Sequence, residues 1–333
     1  MDDEPKTLSE MPKLVMKNIT DRVGAFDILS MRKVCNRLRT YLDLESPSPN
    51  FDTVSLVMDT QRAQLAYTHE GVYVATSYQH SQSGAAVSSN TFRREKEIRG
   101  EDPIQLLCND LILNVVKLKS NIRNLTVDIE HENASQSLME RLPALLSTEE
   151  PLKVKKVYMT VFRVQELYMV LPFLDEDEIE TIAMYQARKS RPITLSVDDI
   201  ERLNSLEIWR TAKNIICPIP LASSASIHHF LHLKDFTFQF ERLYIADVLR
   251  LKDAMLQPNS TFKRTQISYT HFDAEEQFLE KLGPFAHPTR NEKQSWYFRH
   301  RNNQILKVVF RPQWIFIGWE ENVPIRTIVS NMF

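Results

Sequence analysis

Glycine is scarce in this chain. Six occur in 333 residues, at Gly24, Gly71, Gly84, Gly100, Gly283 and Gly318, against a usual share of roughly 7%. No two of them lie within ten residues of each other. A Walker loop needs two glycines five apart so that backbone amides can close round a phosphate. A dinucleotide fingerprint needs three within six residues, and a serine nucleophile elbow needs two flanking one Ser. None of these can be built, so P-loop NTPases, kinases, Rossmann dehydrogenases and α/β-hydrolases all lose their usual anchor. Cysteine is equally sparse. Cys35, Cys108 and Cys217 are odd in number and far apart, which excludes a disulfide scaffold or a cysteine-based zinc cluster and fits a reducing compartment. Charge of either sign is not in excess. Lys plus Arg number 41 and Asp plus Glu 43, a net of −2, so the basic domain of a dedicated nucleic-acid binder is missing. No run approaches the roughly 18 apolar residues of a membrane span. Met1-Asp2-Asp3-Glu4 lacks the apolar core of a signal peptide. The expected location is cytoplasmic and/or nuclear, with neither membrane nor nucleic acid as a partner.

What is present is an ordinary globular composition, 43% hydrophobic and 25% charged, in a chain long enough for two folding units. The first unit spans residues 8–45. Pro12 suits a first helical position, Val15, Ile19 and Val23 recur every four residues, and Gly24-Ala25-Phe26 breaks the helix. Asp27 is the expected N-cap of a second helix, with Ile28, Met31, Val34, Cys35, Leu38, Tyr41 and Leu42 apolar and Arg32, Lys33, Arg37 and Arg39 opposite. So short a helical unit cannot bury this much apolar surface alone, and it calls for a partner.

Residues 46–100 read as a stiff linker, Glu45-Ser46-Pro47-Ser48-Pro49-Asn50, followed by two or three strands. These are Val54 to Met58, Ala63 to Thr68 and Val72 to Tyr78, with a hairpin at His69-Glu70-Gly71. Gln79 to Asn90 is Ser-rich and expected to be a mobile tip. In residues 101–290, strand candidates centre on Val127, Met159, Met184, Ile215, Phe238 and Ile267. Helical spacing lies between them: Leu138, Leu142 and Leu145; Leu167, Val170 and Leu174; Ile227, Phe230 and Leu231; Ile245, Val248, Leu249 and Met255; Phe278 and Leu282. A strand and a helix every 25 to 30 residues or so predict an irregular, leucine-rich-repeat-like α/β solenoid; the alternative is an ordinary α/β domain with evenly spaced strands. Residues 291–333 read as an antiparallel cap, Trp296 to His300 and Ile305 to Phe310 around Asn302-Asn303, then Trp314 to Gly318.

Few residues suggest chemistry. His228, His229 and His232 include a four-residue spacing, but neither a general base nor a third ligand accompanies them. Asp175-Glu176-Asp177-Glu178 lacks the alternating ligands and glycine of an EF-hand loop. Trp209, Trp296, Trp314 and Trp319 read as packing, and Arg290 to Lys293 and Arg299 to Arg301 as solvated charge clusters. No catalytic residue, metal site or cofactor is expected.

The first unit resembles the F-box. Met11-Pro12 stands where that motif has Leu-Pro, and Asp27-Ile28-Leu29 with Arg32-Lys33-Val34-Cys35 resembles its second half. Leu14 replaces the usual acidic residue and Leu38 the usual Trp. The resemblance implies docking to a Skp-type adaptor through Met11, Pro12, Leu14, Val15, Ile19, Val23, Ile28, Leu29, Met31, Val34, Cys35 and Leu38. Joint replacement of Pro12 by Ala and Ile28 by Asp should then remove the adaptor and leave the rest folded. The remainder is similar to the FTH domain, found behind F-boxes in a family expanded in nematodes. Its landmarks are Ile208-Trp209, Ala212-Lys213-Asn214, Phe230-Leu231-His232-Leu233-Lys234-Asp235-Phe236, Leu251-Lys252-Asp253, and Phe262 after Asn259-Ser260. Together these imply a non-catalytic substrate receptor of a Skp–cullin–F-box ubiquitin ligase, bound through the adaptor to a cullin, whose FTH region holds a protein target through residues the sequence does not mark. The alternative is an interaction module that binds the adaptor or another partner without promoting ubiquitination.

Overall fold

The computed structural model describes residues 11–45, 47–59, 61–147, 150–188, 190–258, 260–273, 281–282, 294–299, 304–320 and 329–331. Leu8, Asn259, Phe278, the Asn302-Asn303 turn and the Arg290 to Lys293 cluster lie outside them. The chain forms two compact units, Met1–Ile179 with Ala187–Ser190, and Glu180–Gln186 with Arg191–Phe333.

The first unit begins with three helices, α1 (Lys13–Thr20), α2 (Ala25–Val34) and α3 (Asn36–Glu45). Five antiparallel strands follow: β1 (Asn50–Met58), β2 (Arg62–His69), β3 (Val72–Ser81), β4 (Gly84–Ser89) and β5 (Phe92–Arg99). The expected hairpin between β2 and β3 forms as a two-residue turn, with Glu70 and Gly71 at φ of 50° and 79°, the left-handed pair that matches strand twist. Pro49 is buried and Asn50 already opens β1, so the linker is part of the sheet's entry. The Ser-rich stretch is no mobile tip. It completes β3 and forms β4, because Gly84 takes a φ of 151° where a Cβ would run into the Ile98 carbonyl and come within 2.6 Å of the Gly100 nitrogen. Ala85 and Ala86 then bury against the neighbouring strands.

Helix α4 (Pro103–Leu111), a π-helical turn Ile112–Val116, β6 (Asn121–Ile129), α5 (Glu132–Leu146), β7 (Lys153–Val161) and α6 (Gln165–Val170) complete this unit. Among the described residues its strands run β5-β4-β3-β2-β1-β6-β7, with β1, β6 and β7 parallel. Period-two burial on β6 and β7 points Leu125, Val127, Ile129, Val157, Met159 and Val161 into the core.

The second unit has the strand order β8-β9-β10-β11-β14-β13-β12-β15. Strands β8 (Thr181–Gln186), β9 (Asn214–Leu221), β10 (Asp235–Tyr244) and β11 (Arg264–Asp273) are parallel. Strands β12 (Gln294–Arg299), β13 (Ile305–Arg311) and β14 (Trp314–Glu320) are antiparallel, and β15 (Val329–Asn331) pairs parallel to β12. Helices α7 (Val197–Asn204), α8 (Glu207–Thr211) and α9 (Ile245–Met255) connect the parallel strands. All six expected strand centres fall within β6 to β11. The terminal antiparallel strands pair β14 to the edge of β11, so they extend the sheet rather than cover a face. The chain is thus an all-α N-terminal region followed by mixed α/β sheet structure.

One buried acid ties the elements of the first unit together. Glu166, 6% exposed, accepts from the Ser135 hydroxyl at 2.5 Å and the Phe162 amide at 2.9 Å, joining α5 to α6. Burial raises its pKa above the usual glutamate value, against the pull of those hydrogen bonds and of Arg163. A folded-state pKa above the unfolded one stabilises the fold below the unfolded pKa, and that contribution is lost as pH rises through the folded value. Glu166→Gln is therefore expected to flatten the pH dependence of stability above the normal glutamate range. Glu166→Ala, which orphans a buried hydroxyl and an amide, should cost about 2 kcal/mol. Urea unfolding followed by circular dichroism at pH 5 and pH 8 distinguishes the two.

Candidate partner-docking face

The three N-terminal helices bury some of their apolar residues and leave others exposed. Pro12 is the N-cap of α1 rather than its first residue, at φ −56° and ψ 147°. The inward positions are Met16 and Thr20, one turn apart, where the sequence pattern had favoured Val15, Ile19 and Val23. In α2 the N-cap is Gly24, and Asp27 sits in the first turn, a correction to the expected cap. Ala25, Ile28 and Arg32 form the buried stripe of α2, and Leu38 and Leu42 that of α3.

The core of these helices is shared with the rest of the first unit. Ile28 and Leu42 pack with Leu118, which follows the π-helical turn, and Val23, Leu29, Met31 and Tyr41 surround them. The Phe26 ring stands edge-on to Phe51 of β1 and His69 of β2, each 6.3 Å away. Arg32 is internal, not part of a solvated basic face. Its guanidinium grips the Asp43 carboxylate at 2.7 and 3.3 Å, which satisfies a buried charge with a two-pronged pair. Lys13 reaches Glu45 at 2.7 Å and links the ends of α1 and α3.

The twelve residues of the expected docking surface divide accordingly. Ile28 is buried in this shared core, and Leu38 is buried as well. Met11, Ile19, Val23, Leu29 and Met31 are half-buried, while Pro12, Leu14, Val15, Val34 and Cys35 are exposed. Leu14 is 72% and Val34 71% accessible. Leu44, at 76%, belongs with them and escaped the sequence reading; it lies two residues beyond Leu42, off the inward stripe of α3. With Ile28 inside the shared core, an aspartate there would unfold the helices themselves, so the Pro12/Ile28 double replacement cannot separate docking from folding.

The other singled-out residues are structural. His228 and His229 lie on a 3-10 turn, Ile227–Phe230, with His232 beyond it, so the α-helical ligand spacing is lost. Burial, and secondarily Arg210, lowers the pKa of His232. Asp175 caps its own turn by accepting from the Asp177 amide at 3.0 Å. Burial pushes the thiols of Cys108 and Cys217 up to about 11 and about 12, far from a reactive thiolate. Among the described residues no group of three His, Cys, Asp or Glu is placed to hold a metal ion. No helix among them is long and apolar enough to cross a membrane.

The FTH landmarks form the packing centre of the second unit. Trp209, Ala212, Phe230, Leu233, Phe236, Leu251 and Phe262 are all buried. The Phe230 ring lies 4.2 Å from Phe238 and 6.2 Å from both Phe236 and Phe240. Lys252, itself buried, pairs with Asp253 at 3.1 Å and sits over the Phe298 ring. Trp296 is fully buried, Trp314 lies under Arg311, and the Trp319 indole donates to the Phe262 carbonyl at 3.0 Å.

Residues 136–282 match the FTH domain. The chain is also 20% identical over 314 residues to F-box A protein 224 of Caenorhabditis elegans, an alignment covering 91% of this chain and 77% of that protein. No solved structure matches it. The FTH match begins within α5 and takes in α9 and β11, and its buried landmarks act as core positions. Both likenesses are to F-box/FTH proteins in general and are consistent with a protein-interaction module.

Proposed function

We propose that this chain is a non-catalytic substrate receptor of a Skp–cullin–F-box ubiquitin ligase, acting in the cytoplasm or nucleus. The observation that carries the reading is the exposure of Leu14, Val34 and Leu44 on helices whose own core is already filled by Ile28, Leu42 and Leu118. Apolar side chains left exposed on three successive helices are what burial against a second helical surface would stabilise, and the segment resembles the F-box. The Skp-type adaptor covers these residues and brings the cullin with it. The strand–helix alternation after residue 101, read as an irregular leucine-rich-repeat-like solenoid, presents the target. Ubiquitin transfer then follows from proximity: a target lysine held near a charged carrier gains effective concentration without any catalytic group on this chain.

Co-expression with a Skp-type adaptor, followed by size-exclusion chromatography with and without cullin, tests this. A stoichiometric complex that also takes up the cullin supports it, and a chain that elutes alone, folded, refutes it. Adaptor binding without cullin uptake would favour the second reading, an interaction module that promotes no ubiquitination. Two features favour that alternative: Leu14 stands where an F-box has an acidic rim residue, and Leu38, in place of Trp, is turned into the chain's own core.

A further inference from the structure

Between α2 and α3 on one side and the β2–β3 sheet on the other lies a cleft of about 430 Å³, within the range of small-molecule sites. Of its lining the adaptor reading uses Leu29 alone. Its helical wall carries Leu29, Arg32, Lys33 and Arg39; its far wall carries Tyr67, Val74, Asp110, Leu113 and Asn114.

The far wall owes its shape to the π-helical turn. The Lys117 and Ser120 amides reach back five residues, to the Ile112 and Val115 carbonyls, at 2.9 and 3.1 Å. The widened turn carries Leu113 and Asn114 onto the cleft, where the Asn114 amide donates to the Tyr67 hydroxyl at 3.4 Å. Widened turns of this kind recur at binding sites.

The charges in the cleft do not balance. Asp43 is taken by Arg32. Asp110 accepts the Tyr78 hydroxyl, and burial raises its pKa despite that bond and the nearby Lys33 and Arg32, so its negative charge is disfavoured. Among the described residues neither Lys33 nor Arg39 has a carboxylate within ion-pair distance; Arg39 only donates its Nε to the Arg32 carbonyl at 3.3 Å. Two cations thus face a cleft whose remaining walls are half apolar. A monoanion with an apolar body suits this lining, its charge meeting Lys33 and Arg39 while Leu29, Val74 and Leu113 are left for the body.

We propose that this cleft binds a small organic monocarboxylate with a compact apolar body, Lys33 and Arg39 pairing the carboxylate and Leu29, Val74 and Leu113 enclosing the body. A bound molecule would bridge α2 and α3 to the sheet.

The test is calorimetric titration of the full chain with benzoate, octanoate and 4-phenylbutyrate, alongside their neutral amides. Saturable binding of at least one carboxylate is expected, with its amide weaker by about tenfold or more and the carboxylate weakened to the same extent by Lys33→Ala with Arg39→Ala. Raising the salt should weaken the carboxylate and spare the amide. Leu113→Trp, which fills the cleft, should abolish both. Lys33 and Arg39 are exposed, so their variant stays informative if Leu113→Trp fails to fold. Equal affinity for acid and amide, affinity unchanged in the double variant, or no saturable binding of any of the three acids at millimolar concentration would overturn the proposal.

Discussion

Replacing Leu14 and Val34 together by aspartate is expected to abolish adaptor binding while leaving the protein folded. Both side chains are about seven-tenths exposed in the free chain, so polar replacements there change stability by no more than about 0.5 kcal/mol each. In the docked state each aspartate would be an unpaired charge in an apolar interface, at about 3 kcal/mol or more. Even half of that sum lowers affinity by roughly a hundredfold. Ile28→Asp gives the opposite pattern. It puts a charge among Ile28's own partners Leu42 and Leu118, so the melting transition of the first unit should collapse along with binding. Surface titration of the adaptor against both variants, with melting curves beside it, separates a docking residue from a folding residue. If the Leu14/Val34 variant binds like wild type, the exposed face is not the contact.

The second large effect is expected in the second unit. Phe230→Ala removes the ring on which Phe236, Phe238 and Phe240 converge, and large-to-alanine changes at such fully buried aromatics cost about 3–5 kcal/mol. The chain's four tryptophans, Trp209, Trp296, Trp314 and Trp319, all belong to that unit, so intrinsic fluorescence reports on it alone. The urea midpoint followed by tryptophan emission should fall steeply in the variant. A shift worth less than about 1 kcal/mol would mean that the cavity closes and that the cluster does not anchor this unit.

How much of this was legible in the sequence depended on how each element buries itself. The six strands β6 to β11 were found because each carries closely spaced apolar residues, such as those of Leu125-Thr126-Val127 or Phe236-Thr237-Phe238, between helical segments. Strands β4 and β5 were missed for the opposite reason. Gly84-Ala85-Ala86-Val87-Ser88-Ser89 has little β propensity, and Phe92-Arg93-Arg94-Glu95-Lys96-Glu97-Ile98-Arg99 is the charged sequence of an outer strand. Helices α7 and α8 are too short for a periodic signal, although the Ser196–Asp199 capping box of α7 was there to be read. The π-helical turn after α4 inserts a residue that breaks the 3.6 spacing.

At the candidate docking face the residue types were legible and their directions were not. On an eight-residue helix the stripe through Val15 and Ile19 and the stripe through Met16 and Thr20 differ by one position. Only packing within the folded unit decides which turns inward. The cleft was invisible for a related reason. Lys33 and Arg39 read as a solvated basic face until β3 and the segment Asp110 to Asn114 are placed opposite them.

Hydrogen exchange of the full chain, alone and saturated with a Skp-type adaptor, locates the contact without altering the protein. New protection is expected in α1, at the α2–α3 junction around Val34 and Cys35, and at the end of α3 around Leu44, with β8 to β11 unchanged. Protection confined to the sheet strands, or none in the three helices at saturating adaptor, would contradict docking through these helices.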